Sequence, residues 1–162
     1  MESVTFSGAD PAARYRELLP QLAALLEGEP DLIANLANAT AAIRACVPAA
    51  SWVGFYIWRG GELVLGPFQG NVACVRIALG RGVCGTAAAE RRTVVVPDVE
   101  QFPGHIACDA GSRSEIVVPI FARGTGALVA VLDLDSYDLA AFSDADAAGL
   151  RPIAELLGAL SW

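Results

Sequence analysis

Residues 115–135 read EIVVPIF, ARGTG, ALVAVLDLD: two apolar runs joined by a short connection that contains glycine. That arrangement specifies a β-hairpin. It occurs a second time, where SWVGFYIW (51–58) and ELVLGPFQ (62–69) flank RGG. Two hairpins of long strands commit the chain to an antiparallel sheet, and VACVRI (72–77) and TVVVPD (93–98) read as shorter strands. If ARGTG is the loop of the second hairpin, Phe121 pairs with Ala127 and Glu115 pairs with Asp133.

Helices bracket the strands. Residues 10–29 open with Asp10 as cap and Pro11 at the first helical position, and Leu18, Leu22, Leu25 and Leu26 follow at helical spacing. Pro20 marks a point where this segment can kink or divide. Residues 30–48 repeat the pattern with Leu32, Ile33, Leu36 and Ile43 until Pro48 stops it. RGVCGTAAAE (81–90) reads as a helix entry. Residues 143–160 have Ser143 as cap, acids in the first turn and an apolar face of Leu150, Ile153, Leu157 and Leu160. Pro152 would cost about 3 kcal/mol inside a regular helix, so a break is expected there. The fold class is α+β, a central antiparallel sheet flanked by helices. One domain over 1–162 is expected: helices in 1–50, sheet and loops in 51–142, and a closing helix in 143–162.

Charge narrows the function. Eleven basic residues against 18 acidic ones give a net charge of -7, and no Lys/Arg cluster offsets it. Nucleic acid and anionic membranes are poor partners for such a surface. The start MESVTFSGAD lacks the basic and apolar regions of a signal peptide, and no apolar run approaches the roughly 20 residues of a membrane span. A cytoplasmic protein is expected, in which a lasting structural disulfide would be unusual.

The reactive groups concentrate in a few places. FPGHIACDAGSRSEI (102–116) holds the only histidine, His105, together with Cys108 and Glu115, and reads as a loop. Asp133 and Asp135 interrupt a strongly apolar strand and share one face by alternation, so three carboxylates converge with Glu115 at one end of the sheet. Acids at strand ends are commonly just solvated. Crowded ones instead raise each other's pKa, and can bind an ammonium group or keep one acid protonated as a proton donor. On the first strand, Trp52, Gly54, Tyr56 and Trp58 share a face. Gly54 there leaves a gap between two aromatic walls, suited to a methyl or thioether group, although core aromatics are the plainer reading of that strand alone.

Of the four cysteines, Cys46 lies in a helical apolar pattern and reads as a small core residue. Cys84 stands near a helix N-terminus, where the dipole lowers a thiol pKa, and Cys108 lies in the polar loop. A zinc site from Cys74, Cys84, Cys108 and His105 lacks any Cys-x-x-Cys pair to support it. His105 reads as a loop hydrogen-bonding residue rather than a catalyst.

SWVGFYIW, LVLGPFQGNVACVRIALGRGVCGTAA, VVVPDVEQFPGHIACDAGSRSEIVVPI and VLDLDS together resemble the free methionine-(R)-sulfoxide reductases, which have a GAF fold. The resemblance runs from about residue 51 to 146. It implies Cys108 as nucleophile, Cys74 as the main resolving thiol and Cys84 as a second redox cysteine near the pocket. It further implies Glu115, Asp133 and Asp135 as substrate-binding acids, with Trp52 and Tyr56 as the aromatic pocket. The implied chemistry passes through a sulfenic acid and an intramolecular disulfide, recycled by thioredoxin or a similar dithiol, and needs no metal or organic cofactor. Domains of this kind often form homodimers. The rival is a GAF module that senses a small molecule without turnover, for which resolving thiols would have no use.

Overall fold

Asp10 starts the first helix by accepting a 2.8 Å hydrogen bond from the Ala13 N–H, and Asp31 does the same for Ala34 in the second. These caps, in a computed structural model that describes residues 3–8, 10–106 and 108–162, open α1 (Pro11–Leu26) and α2 (Leu32–Cys46). The order continues β1 (Trp52–Arg59), β2 (Glu62–Gln69), β3 (Arg76–Ala78), α3 (Gly82–Glu90), β4 (Val94–Val96), a 3-10 turn at Val99–Gln101, β5 (Ser114–Phe121), β6 (Leu128–Ser136) and α4 (Asp144–Leu157). The six strands form one sheet in the order β3-β2-β1-β6-β5-β4, and every neighbouring pair is antiparallel. This is the α+β architecture expected from the hairpins.

Alternation along β1 divides the molecule into two apolar layers. Val53, Phe55 and Ile57 join the larger core with Leu18 and Leu22 of α1, Leu36 and Ile43 of α2, and Leu150, Ile153 and Leu157 of α4. Trp52 and Tyr56 face the other way, into a smaller cluster with Val83, Cys84 and Ala87 of α3 and Val117 and Val131 of the sheet. The larger layer holds the sheet rigid; the smaller one contains the reactive groups. Ile33 departs from the expected helical face and is 49% exposed.

Four local expectations are corrected. First, α4 runs unbroken through Pro152, and α1 runs through Pro20. Fully burying Leu150, Ile153 and Leu157 contributes roughly 1.5–3 kcal/mol per side chain, which offsets the proline's cost. Second, Glu115 pairs with Asp135 rather than Asp133, because the hairpin end pairs Phe121 with Leu128 and a bulge between Ile120 and Phe121 adds a further step. The offset is two residues, so every side chain keeps its face. Third, the strand expected over 72–77 shrinks to Arg76–Ala78, and Cys74 lies on irregular backbone before it. Fourth, the gap at Gly54 is filled: a Cβ there would collide with the Trp52 ring and with Phe68 Cβ, so the indole leans across the glycine.

Candidate active site

Cross-strand register builds the site. Trp52, Asp135 and Glu115 are neighbours in one row across β1, β6 and β5, and Gly54, Asp133 and Val117 form the next row. The three acids therefore project from adjacent strands onto the α3 side of the sheet. They line one cavity with Trp52, Tyr56, Cys84, His105 and Cys108. Its empty space, with the open mouth included, is about 520 Å³.

The aromatic wall is fixed from several sides. Trp52 stacks on Phe68 at 5.4 Å and on Tyr56 at 6.1 Å between ring centroids. Its indole N–H donates to the Asn71 carbonyl at 3.0 Å. Ile77, Val83 and Ile106 complete the apolar lining.

The acidic wall is electrostatically unusual. Glu115 and Asp133 are each only 6% exposed, and burial together with the neighbouring carboxylates holds both well above the usual carboxylate range. Asp135 is pushed up to about 6 by burial, with a hydrogen bond from Ser112 pulling the other way. Among the described residues, Asp133 Oδ1 is buried with no hydrogen-bond partner. An unsatisfied buried oxygen of this kind calls for a donor from a ligand.

Sulfur lies on two sides of these acids. Cys74 and Cys108 form a disulfide with Cα atoms 5.3 Å apart. Cys84, in the first turn of α3, remains a free thiol and donates to Glu115 Oε1 at 3.9 Å. The helix dipole was expected to lower its pKa; instead burial and the adjacent Asp133 and Glu115 push the thiol up. Cys46 lies in the main core, where burial raises its thiol to about 11. The four-ligand zinc set is not assembled, since two of its sulfurs bond to each other. Among the described residues, the donor group tight enough for a cation is Cys84, Glu115 and Asp133, with ligand atoms all within 4.8 Å of one another.

His105 Nε2 lies 3.8 Å from Glu115 Oε2. Burial holds the imidazole below its usual range, so at neutral pH it is uncharged beside the acid.

Sequence reasoning passed over the clasp between the two cysteine segments. Asn71 Nδ2 donates to Asp109 Oδ2 at 3.1 Å and to the Tyr137 hydroxyl at 3.0 Å, while that hydroxyl donates to Asp109 Oδ2 at 2.9 Å. Asp109 Oδ1 also accepts from the Gly111 N–H, the Asx-turn bond that an Asp two residues before a Gly makes legible. Asn71 and Tyr137 carry no such local mark, being 66 residues apart.

Comparison with known proteins gives a consistent result. A GAF domain profile matches residues 13–160. A free methionine-R-sulfoxide reductase of Escherichia coli is 46% identical over 139 residues, covering 86% of this chain and 83% of the relative. One of Saccharomyces cerevisiae is 42% identical over 148 residues, covering 87% and 82%. The X-ray structure of the Neisseria meningitidis free methionine-R-sulfoxide reductase in complex with its substrate superposes with a TM-score of 0.93 at 49% identity, covering 98% of this chain and 94% of that one.

Proposed function

From a chain that belongs to the GAF domain family, among relatives that are free methionine-R-sulfoxide reductases, we propose that this oxidoreductase converts free L-methionine-(R)-sulfoxide to methionine by cysteine chemistry. The observation that supports it most directly is the meeting of three carboxylates, two aromatic rings and the bridged Cys108 around one small cavity.

Each wall takes one part of the substrate. Asp135, pushed up to about 6, is largely ionised at neutral pH and takes the α-ammonium. Trp52 and Tyr56 hold the methyl and thioether end. Burial and the neighbouring carboxylates raise Glu115 and Asp133, which favours the neutral acid, so either can give a proton to the sulfoxide oxygen as its bond to sulfur breaks. The Cys108 thiolate attacks that sulfur to form a transient S–S bond; as that bond breaks the protonated oxygen passes to Cys108 Sγ, so methionine departs and Cys108 is left as a sulfenic acid. Cys74 then displaces hydroxide from Cys108, giving water and the disulfide. An external dithiol of the thioredoxin type, in the cytosol, reduces it by exchange. Cys84 is the second redox cysteine of the site.

The test is turnover. With dithiothreitol the protein should reduce free L-methionine-(R)-sulfoxide and discriminate strongly against its N-acetyl form, whose lost charge leaves the acids unpaired. Cys108→Ser should abolish the reaction and keep the fold. Without reductant, about one methionine per protein should appear with a Cys74–Cys108 bond in peptide maps, as sulfenate condensation requires. A Cys84–Cys108 bond as sole product would transfer the resolving role. Equal efficiency on the N-acetyl substrate would remove the assignment to the free amino acid.

A further inference from the structure

We propose that the floor of the cavity is also a binding site for a thiophilic divalent cation, Zn²⁺ above all, held by Cys84, Glu115 and Asp133. The donor atoms of these three buried side chains all lie within 4.8 Å of one another. Zinc with one sulfur and two oxygen ligands places neighbouring donors roughly 3.4–3.6 Å apart, from its bond lengths and a tetrahedral angle. The Cys84 Sγ to Glu115 Oε1 separation is already 3.9 Å. Small side-chain rotations therefore suffice.

A second observation points to a ligand independently of this clustering. Asp133 Oδ1 is buried among these groups with no hydrogen-bond partner among the described residues. A bound cation satisfies that oxygen and displaces the Cys84 thiol proton and the acids' protons into solvent, which makes binding stronger as pH rises. The donor set also selects the metal. Mg²⁺ and Ca²⁺ require six or more oxygens, whereas a thiolate with two carboxylates suits a borderline-soft ion. Three protein ligands leave the fourth position open towards the cavity, where water binds. His105, 3.8 Å from Glu115 Oε2, is near enough to steady that carboxylate from outside the ligand set.

The cation would occupy Glu115 and Asp133, the acids that serve the sulfoxide oxygen, within the cavity the substrate fills. Zinc is then a competitive inhibitor, released by high concentrations of substrate. That consequence rests on the reductase reading; the binding itself does not.

Calorimetry on the oxidised protein tests the proposal, because the Cys74–Cys108 bridge removes both of those sulfurs as rival ligands. Titration with ZnCl₂ should give one equivalent bound, and MgCl₂ should give none. Cys84→Ser and Asp133→Asn should each weaken Zn²⁺ at least about tenfold, the lower end of what even outer-shell changes cost a metal site. Cys46→Ser should leave the affinity unchanged. CoCl₂ on the unmutated protein provides a check free of folding effects: a thiolate-to-cobalt charge-transfer band should appear and vanish on adding Zn²⁺. Absence of binding, binding insensitive to both Cys84→Ser and Asp133→Asn, or cobalt bound without the band would each overturn the site. If zinc binds as described but free methionine-(R)-sulfoxide does not displace it, the site stands and the substrate reading fails.

Discussion

Asp135 sits where charge and function are in tension. Its folded pKa is raised from 3.8 to about 6, so burial favours the neutral acid while ammonium binding needs the anion. For stability the sign is that of a raised carboxylate. Its contribution is fully present below about 3.8 and is lost as pH rises through about 6. Asp135→Asn should therefore be stabilised relative to the parent in denaturant titrations at pH 7.5, and gain nothing at pH 3.5. Binding has the opposite dependence. In a Cys108→Ser background, affinity for free methionine-(R)-sulfoxide should rise as pH passes from 5 to 7, and Asp135→Asn should flatten that rise. An affinity that falls over this interval would mean another group takes the ammonium. The convergence of Glu115, Asp133 and Asp135 was legible because alternation alone decides which face a strand residue occupies. The suppression of Cys84 was not, because the dipole at a helix end is a local feature, while the burial and carboxylates that outweigh it come from strands about 30 and 50 residues on.

At the level of the element, the strand faces were readable and the strand registers were not. Bulges and hairpin ends shift pairing by amounts that no alternation pattern records, as the Ile120/Phe121 irregularity shows. The helix that continues through Pro152 departs from expectation for a related reason: the local cost of a proline is visible in sequence, but the packing that outweighs it is not. Gly54 has a consequence that can be measured. The Trp52 ring occupies the space a side chain would need, pressed between that glycine and Phe68. Gly54→Ala should cost roughly 1–3 kcal/mol of unfolding free energy, the usual range for overpacking a well-filled core. It should also raise KM for the sulfoxide, since the displaced indole is a wall of the cavity. Unchanged stability and KM together would show that the ring has free room to move.

For the whole molecule, the sheet keeps its large core on one face and its reactive groups on the other. Substitutions among Glu115, Asp133, Asp135 and Cys108 should thus be tolerated by the fold far better than those at Phe55 or Leu132, both fully buried in the larger layer. The net charge of -7 makes nucleic acid and anionic surfaces poor partners to expect, on composition alone. The residues that tie the two cysteine segments together, Asn71, Asp109 and Tyr137, became visible only when distant stretches of chain met.

The bridge between Cys74 and Cys108 spans 34 positions and encloses β3, α3, β4 and the 3-10 turn. A covalent ring of that size removes conformational entropy from the unfolded chain worth about 3.5–4 kcal/mol in the loop-closure treatment. The oxidised protein should accordingly melt roughly 7–15 °C above the reduced one, given how melting temperature scales with chain length. Scanning calorimetry with and without dithiothreitol measures the difference, and coincident transitions would mean the unfolded chain gains nothing from reduction. In the proposed cycle the protein would alternate between a more and a less heat-resistant form. Under oxidant load, when the bridged form accumulates, the population as a whole becomes harder to unfold and to digest. Thermal resistance itself would report how far supply of reductant has fallen behind.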